Sequence, residues 1–455
     1  MPSTTRMSRP SRSTHPAPAP VATGFTGLGV PAPIVSALAA QGITEPFPIQ
    51  TATLPDSLEG RDVLGRGRTG SGKTLAFAVP TVTALDVSGN PRTPNRPRAL
   101  VLVPTRELAN QVADAIAPLA AAMGQRVTTV FGGVSQGRQV SALRGGIDVL
   151  IACPGRLEDL IGQRLVDLDE VEVTVLDEAD HMADLGFLPA VRRLLDRTPS
   201  DTQRLLFSAT LDNGVDVLVR RYLHDPVVHS VDPPALAVTT MEHHVLTVTA
   251  TDKAAVVREL ASGVDRTLLF TRTKHAAKKL ARQLTAAGVP AVDLHGNLAQ
   301  NARERNLAAF GDGSVRVLVA TDIAARGIHV DDIALVVHVD PPAEHKAYLH
   351  RSGRTARAGA DGVVVTVATP EQSRDVTVLT RQAGIKPAWA SVRPGAREIT
   401  ALTGPPAPHV TPVAPVEQPQ SQQRRRGPRV SGPRTSAVDV SRRGGSRRGS
   451  RRRAA

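Results

Sequence analysis

Short apolar runs, flat rather than alternating, recur along the chain between stretches with helical spacing. In the first half they are Asp62-Val63-Leu64, Ala99–Val103, Val127–Val130, Asp148–Ala152, Val173–Leu176 and Arg204–Phe207. A strand apolar on every residue is buried on both faces, which predicts a parallel sheet covered by helices on each side. Asp232-Pro233-Pro234-Ala235 interrupts the pattern as a linker does. A second series follows: Thr267–Phe270, Ala291–Leu294, Val315–Val319, Leu335–Val339 and Val363–Val367. The expectation is an α/β chain of two tandem domains. Its parts are an arm over 1–24, a first domain over 25–231, a linker over 232–238, a second domain over 239–395 and a tail over 396–455. Trp389 is expected to pack at the end of the second domain, and His181 to lie at the surface.

Charge changes the picture of the ends only. Of the net charge of +13, +3 falls before residue 25 and +10 after residue 399, so the segment between is formally neutral. The tail is built of Arg, Gly, Ser, Pro and Gln with almost nothing to bury, and is expected to be disordered. A basic extension fits a polyanion, nucleic acid being the commonest; the plainer alternative is a solubilising tail. The arm has no apolar segment of a secretory signal, and is likewise expected to be disordered. Cys153 is the one cysteine, which excludes an internal disulfide and suits a reducing compartment, here expected to be the cytoplasm. It is expected to be a small packed residue. No His/Cys group has zinc spacing.

Chemistry gathers where strands end, the edge at which such sheets bind ligands. Gly67-Arg68-Thr69-Gly70-Ser71-Gly72-Lys73-Thr74 reads G-x-x-x-x-G-K-[ST] between a strand and a helix. Its glycines let backbone N–H groups face phosphate oxygens, Lys73 reaches the β- and γ-phosphates, and Thr74 offers a hydroxyl to Mg²⁺. Asp177 and Glu178 end the fourth long strand of the first domain. The first is placed to hold the metal and the second to orient or deprotonate a water; an acidic helix N-terminus is the plainer alternative. The second domain has no phosphate loop. It has His350-Arg351-Ser352-Gly353-Arg354-Thr355-Ala356-Arg357, arginines that can stabilise a transferring phosphoryl group from a facing domain, or else a solvated basic helix.

Taken together and in order, these motifs resemble those of DEAD-box RNA helicases, of the helicase superfamily with two RecA-like domains, over about residues 25–370. Phe25 and Gly42–Gln50 resemble the adenine-reading Q motif, which implies that Phe25 stacks on the base and Gln50 bonds its edge. The resemblance implies that Thr69, Gly70, Ser71, Gly72, Lys73, Thr74, Asp177 and His329 hold ATP and Mg²⁺, with Thr74 and Asp177 on the metal. Pro104-Thr105-Arg106-Glu107-Leu108-Ala109, Gly132-Gly133 and Cys153-Pro154-Gly155-Arg156 are similar to segments that grip the RNA backbone. Phe270-Thr271-Arg272, Leu294-His295-Gly296 with Gln300 and Arg303, and Ala320-Thr321-Asp322 are similar to motifs of the second domain. RNA contacts are thereby expected at Pro104, Thr105, Arg106, Gly133, Pro154, Arg156, Arg272, Gly296 and Thr321. Asp180, Ser208, Thr210 and His350 would couple hydrolysis to strand separation. The catalytic set is Lys73, Asp177, Glu178, Arg354 and Arg357.

Two departures stand out. Phe47 replaces the family's Thr, which would weaken the link between the Q motif and the phosphate loop. His329 replaces an Asp that contacts the ribose. The implied function is an ATP-dependent RNA helicase that grips RNA across two domains and locally unwinds short duplexes, monomeric in its core. An RNA clamp with weak ATPase and a DNA helicase are the alternatives.

Overall fold

The structure is a computed structural model and describes residues 24–67, 70–211, 214–231, 241–325, 330, 332–356 and 361–411. Seven strands form the first sheet: β1 (Val63–Arg66), β2 (Ala99–Leu102), β3 (Val127–Val130), β4 (Val149–Ala152), β5 (Val173–Leu176), β6 (Gln203–Ser208) and β7 (Val227–Ser230). Seven more form the second: β8 (Met241–Thr247), β9 (Arg266–Phe270), β10 (Ala291–Leu294), β11 (Val317–Ala320), β12 (Ile333–His338), β13 (Gly362–Ala368) and β14 (Ala388–Ser391).

The strand orders are β3-β4-β2-β5-β6-β1-β7 and β10-β11-β9-β12-β13-β8-β14. Position for position these are the same order, so the second lobe repeats the first, with β8 in the place of β1. Every pairing between these strands is parallel.

The cores follow from the pleat. Val63, Val101, Ile151, Val173, Val175, Leu205 and Phe207 bury against one helical layer of the first lobe. Their neighbours Leu64, Leu100, Leu102, Leu150, Leu176 and Leu206 bury against the other. Successive side chains point to opposite faces and both faces are covered, which is why the sequence runs flat. The second lobe divides likewise, Leu269, Val319, Val337 and Val365 on one face and Leu268, Phe270, Leu318, Val336 and Val364 on the other. Among the described residues no helix is long and apolar enough to cross a membrane.

Three expectations change. The second lobe does not stop at residue 395. A helix spans Arg397–Thr403 with Ile399 buried, and the chain beyond it stays on the lobe, where Ala407 N donates to Ser262 O (2.8 Å) and Val410 N to Gly288 O (3.0 Å). Ile399 and Leu402 give this segment something apolar to bury, unlike the arginine-rich residues further on. Trp389 is 43 % exposed, because β14 is an edge strand with one neighbour. His181 is buried, in the helix Ala179–Asp184 behind the acidic turn. The arm, the linker and most of the arginine-rich tail lie outside the described residues.

Candidate nucleotide and nucleic-acid site

β1, β5 and β6 end side by side, with Arg66 opposite Ser208 and Leu176 opposite Leu206. This topology brings the phosphate loop, the acidic turn and Ser208-Ala209-Thr210 to one edge. The helix Lys73–Ser88 starts directly after Gly72, which has φ +88°. A Cβ on Gly72 would lie 2.6 Å from Gln50 Nε2 and 2.9 Å from Phe47 Cδ2, so glycine is required by both torsion and space. Ser71 Oγ is buried and has no hydrogen-bond partner among the described residues, as a group awaiting a ligand oxygen would be. Thr69 lies outside the described residues.

Lys73 Nζ donates to Glu178 Oε1 at 3.1 Å, with both side chains largely buried. Burial pulls the lysine pKa down, but Glu178, Asp177 and Asp180 outweigh it and the net shift is upward. Asp177 is pushed up to about 7, first by burial and then by Glu178 and Asp180, against the pull of Lys73. Glu178 holds a left-handed backbone (φ 52°), uncommon for a non-glycine residue. In that conformation its N–H donates to Asp177 Oδ1 at 2.9 Å. Asp180 accepts from Thr210 N (3.1 Å) and Thr210 Oγ1 (3.3 Å), while Ser208 Oγ accepts from Asp180 N and donates to Thr210 O. The end of β6 is thus bonded to the acidic turn.

The chemistry of this edge fits a magnesium ion. A carboxylate and a hydroxyl beside a phosphate cradle are hard oxygen donors of the kind Mg²⁺ takes with substrate phosphates and water. Asp177 and Thr74 would hold it. A cation there would also relieve the cost of burying Asp177.

Phe25 and Gln50 sit differently from expectation. Phe25 is 2 % exposed within the first core, so its ring offers no open face to a base. The amide of Gln50 is already engaged: Nε2 donates to Gly72 O (2.8 Å) and Oε1 accepts from Phe47 N (2.9 Å). Gln50 is thus a latch between the two segments, and the latch is closed with Phe47 in place.

On the second lobe the helix His345–Ser352 carries the basic cluster. Arg351 donates to Asp322 Oδ2 (2.8 Å) and Asp340 O (2.7 Å), with its guanidinium 5.1 Å from the Phe270 ring centroid. That clamp commits Arg351 to structure. Arg354 is buried to 8 % exposure, its Nε donating to His350 O. His350 faces the first lobe: Nδ1 is 4.0 Å from Asp184 Oδ2, and its charge acts on Asp180. Arg357 and His329 lie outside the described residues.

The segments assigned to the RNA backbone split in role. Thr105 caps the helix Arg106–Ala122 by accepting from Leu108 N. Pro154 opens the helix Pro154–Gly162, and Arg156 reaches Val134 O and Gln139 Oε1, bracing the glycine doublet. Arg272 is exposed, its N–H held by Asp340 Oδ2 (3.0 Å). The space beside Gly296 is open, and Thr321 O anchors Ala324 N and Ala325 N. Arg106 instead crosses to the second lobe, donating to Gln300 Oε1 at 3.0 Å. Beside it Glu107 accepts from Arg303 Nε (2.8 Å) and Gln300 Nε2 (3.4 Å). Glu107 was missed as a functional residue. The signal available was a lone acid next to a proposed phosphate contact, with Gln300 and Arg303 three apart on one helix face.

Gly133 (φ +81°) passes under Arg106, and a Cβ there would lie 2.1 Å from Arg106 Nη1. Gly133→Ala is expected to displace that guanidinium and strain the turn by about 1–3 kcal/mol. The RNA concentration for half-maximal ATPase should rise about tenfold while the maximal rate stays near wild type. Titrating RNA in a steady-state assay checks this, with thermal unfolding as control.

The comparisons with known proteins agree with this geometry. The DEAD/DEAH box helicase family matches residues 47–218 and the helicase conserved C-terminal domain matches residues 252–359. The DEAD-box ATP-dependent RNA helicase 3A, chloroplastic, of Zea mays is 40 % identical over 368 residues, 79 % of this chain and 49 % of that protein. The ATP-dependent RNA helicase RhlB of Pseudomonas syringae pv. tomato is 37 % identical over 371 residues, 80 % of this chain and 94 % of that protein. The solved structure of S. cerevisiae Dbp5 bound to RNA and ADP BeF3 superposes with a TM-score of 0.72 at 25 % identity, over 84 % of this chain and 99 % of that one. The chain spans about half the length of its maize relative. With two RecA-like lobes facing each other across these motifs, the chain belongs to the DEAD-box family of ATP-dependent RNA helicases.

Proposed function

We propose that this protein is an RNA-dependent ATPase that grips RNA backbone across its two lobes and locally unwinds short duplexes. The observation that carries the reading is the approach of His350, on the second lobe's basic helix, to Asp184 at the end of the helix that follows the acidic turn, with its charge felt at Asp180. One phosphate loop served by two lobes makes nucleotide binding a means of closing them.

Lys73 is paired with Glu178 at 3.1 Å. A triphosphate in the loop draws the ammonium to its β- and γ-oxygens and leaves Glu178 free to accept a proton from water. The water oxygen then attacks the γ-phosphorus as its bond to the ADP oxygen breaks. Arg354, and Arg357 by resemblance, meet the charge on the transferring group from the other lobe. Mg²⁺ supplies charge neutralisation at the phosphates when bound. Loss of the γ-phosphate removes what both lobes share, and the RNA is released.

RNA contacts made to sugar and phosphate carry no base sequence, which supports action on many short duplexes. The arginine-rich tail adds salt-sensitive affinity. We place the enzyme in a reducing compartment, the cytoplasm, which its single cysteine suits, with a monomeric core; cell fractionation and sedimentation test it.

Steady-state ATP hydrolysis by the full chain, with RNA, with single-stranded DNA and with neither, tests the activity. Stimulation by RNA alone is expected. Equal stimulation by DNA would overturn the substrate, and tight RNA binding with negligible turnover would mean a clamp. The pH profile is a second check. Burial pushes the Asp177 carboxyl up to about 7, so its charged form predominates only above that pH. Protons compete with the metal below it. kcat/KM for the magnesium–ATP complex is therefore expected to fall about tenfold per pH unit below pH 7 and to level off above.

A further inference from the structure

The helix Lys274–Ala286 leaves the carboxyl end of β9 and packs on β10 and β11 at the flank of the second lobe. Ala277, Ala281 and Leu284 are buried against the sheet. The opposite face exposes Lys274, His275, Lys278, Lys279 and Arg282. From Arg272 to Val292 the sequence has no acid at all. Three exposed helical arginines elsewhere are paired, Arg193 with Glu158, Arg220 with Asp216 and Arg221 with Asp196. Among the described residues, Lys274, Lys278, Lys279 and Arg282 have no ion-pair partner within 4.0 Å.

Placement gives this stripe its meaning. It begins beside Arg272, at the edge where strand ends meet the cleft, and runs away from the cleft along the lobe. Lys274 to Arg282 is eight residues, a rise of about 12 Å. A duplex carries roughly one phosphate charge per 1.7 Å of axis, so about seven phosphates pass such a length. Unpaired cations on a rigid helix at that spacing fit a polyphosphate rod better than a folded acidic protein, whose carboxylates are discrete.

We infer that Lys278, Lys279 and Arg282 bind the phosphate backbone of an RNA duplex flanking the strand held in the cleft. This rests on the RNA-helicase reading and adds a substrate preference: RNA with a duplex arm on the second-lobe side. The contact is to backbone, so it is indifferent to sequence and sensitive to salt.

The test uses the full chain and two labelled RNAs sharing one single-stranded core, one of them extended by a duplex arm. Wild type should bind the armed RNA at least tenfold more tightly. In Lys278→Gln/Lys279→Gln/Arg282→Gln that gain should vanish, and the slope of log affinity against log salt should fall by about 2 to 3 for the armed RNA. Binding of the short RNA should stay within twofold. Glutamine keeps helix propensity near that of lysine, so the helix survives. Lys278→Arg/Lys279→Arg/Arg282→Lys should retain the gain. An unchanged preference in the glutamine variant overturns the inference, as does equal loss of both RNAs. Loss of adherence to anionic vesicles with RNA binding intact assigns the stripe to a membrane surface and also overturns it. Failure of wild type to bind either RNA would instead sink the helicase reading.

Discussion

Lys73→Ala is expected to lower RNA-stimulated ATP hydrolysis by about 100- to 1000-fold while leaving the chain folded. The reasoning starts from burial. Lys73 is 6 % exposed and is the cation set against Glu178, Asp177 and Asp180. Removing it subtracts the ammonium that would meet the β- and γ-phosphates. It also leaves buried carboxyls facing a triphosphate without the ammonium between them. Asp177 and Asp180, already held up by burial, move further up without the ammonium, which neutralises Asp177 at neutral pH and weakens the metal position as well. One substitution thus damages three things the reaction needs. The helix tolerates it, since alanine is a better helix former than lysine. Lys73→Arg separates charge from shape: the cation stays but cannot point a single ammonium between phosphates, and an intermediate loss is expected. Turnover in the alanine variant within tenfold of wild type would show that the phosphate loop is not the catalytic centre.

What the sequence makes legible is what lies close together along the chain. The phosphate loop, the acidic turn and the basic helix are each a handful of consecutive residues at a strand end, and the parallel sheet follows from flat runs such as Ala99–Val103. The strands that escape notice are those whose burial depends on distant partners. β8 begins Met241-Glu242-His243-His244, which reads as polar. Yet His243 is buried with Nδ1 3.1 Å from the hydroxyl of Tyr348, 105 residues away. His338 is fully buried between Phe270 and Tyr348, its Nδ1 near Thr366 Oγ1. Burial and the nearby Arg351 hold it neutral. A polar side chain satisfied across the fold looks, in sequence, like one that belongs in water. The same limit explains Gln50 and Arg106. The residue types point to ligand contacts, while the bonds each makes within the protein depend on Gly72 and Gln300. The repeated strand order of the two lobes is hidden for a related reason, since topology survives while the phosphate loop is present only once.

The bridge between the lobes should carry the second largest effect. Glu107 and Arg303 have side chains 9 % and 11 % exposed, in contact at 2.8 Å across 196 residues. Burial alone would push the Glu107 carboxyl up, but the hydrogen bond and charge of Arg303 bring it below the ordinary range, so the pair is ionised. In a closed molecule the loss of either partner leaves the other buried without its counter-charge, at about 2–5 kcal/mol. Opening the lobes returns that orphan to water, so the cost falls on closure rather than on the folding of either lobe. Glu107→Gln or Arg303→Gln alone is therefore expected to shift the closing equilibrium by between about 30-fold and a few thousand-fold. Unwinding and RNA-stimulated hydrolysis should fall with it, while the melting of each lobe changes little. The double variant removes both charges and should be less impaired than the sum of the singles, with an interaction energy of about 1–3 kcal/mol. Fluorescence transfer between dyes on the two lobes, recorded with RNA and a non-hydrolysable ATP analogue, reads closure directly. Additive effects in the cycle would mean that the two residues act separately, Glu107 through the RNA path beside Arg106 and Arg303 through its bond to Ala324 O. A non-additive cycle with closure lost in both singles makes this pair the latch that converts nucleotide binding into a grip on RNA.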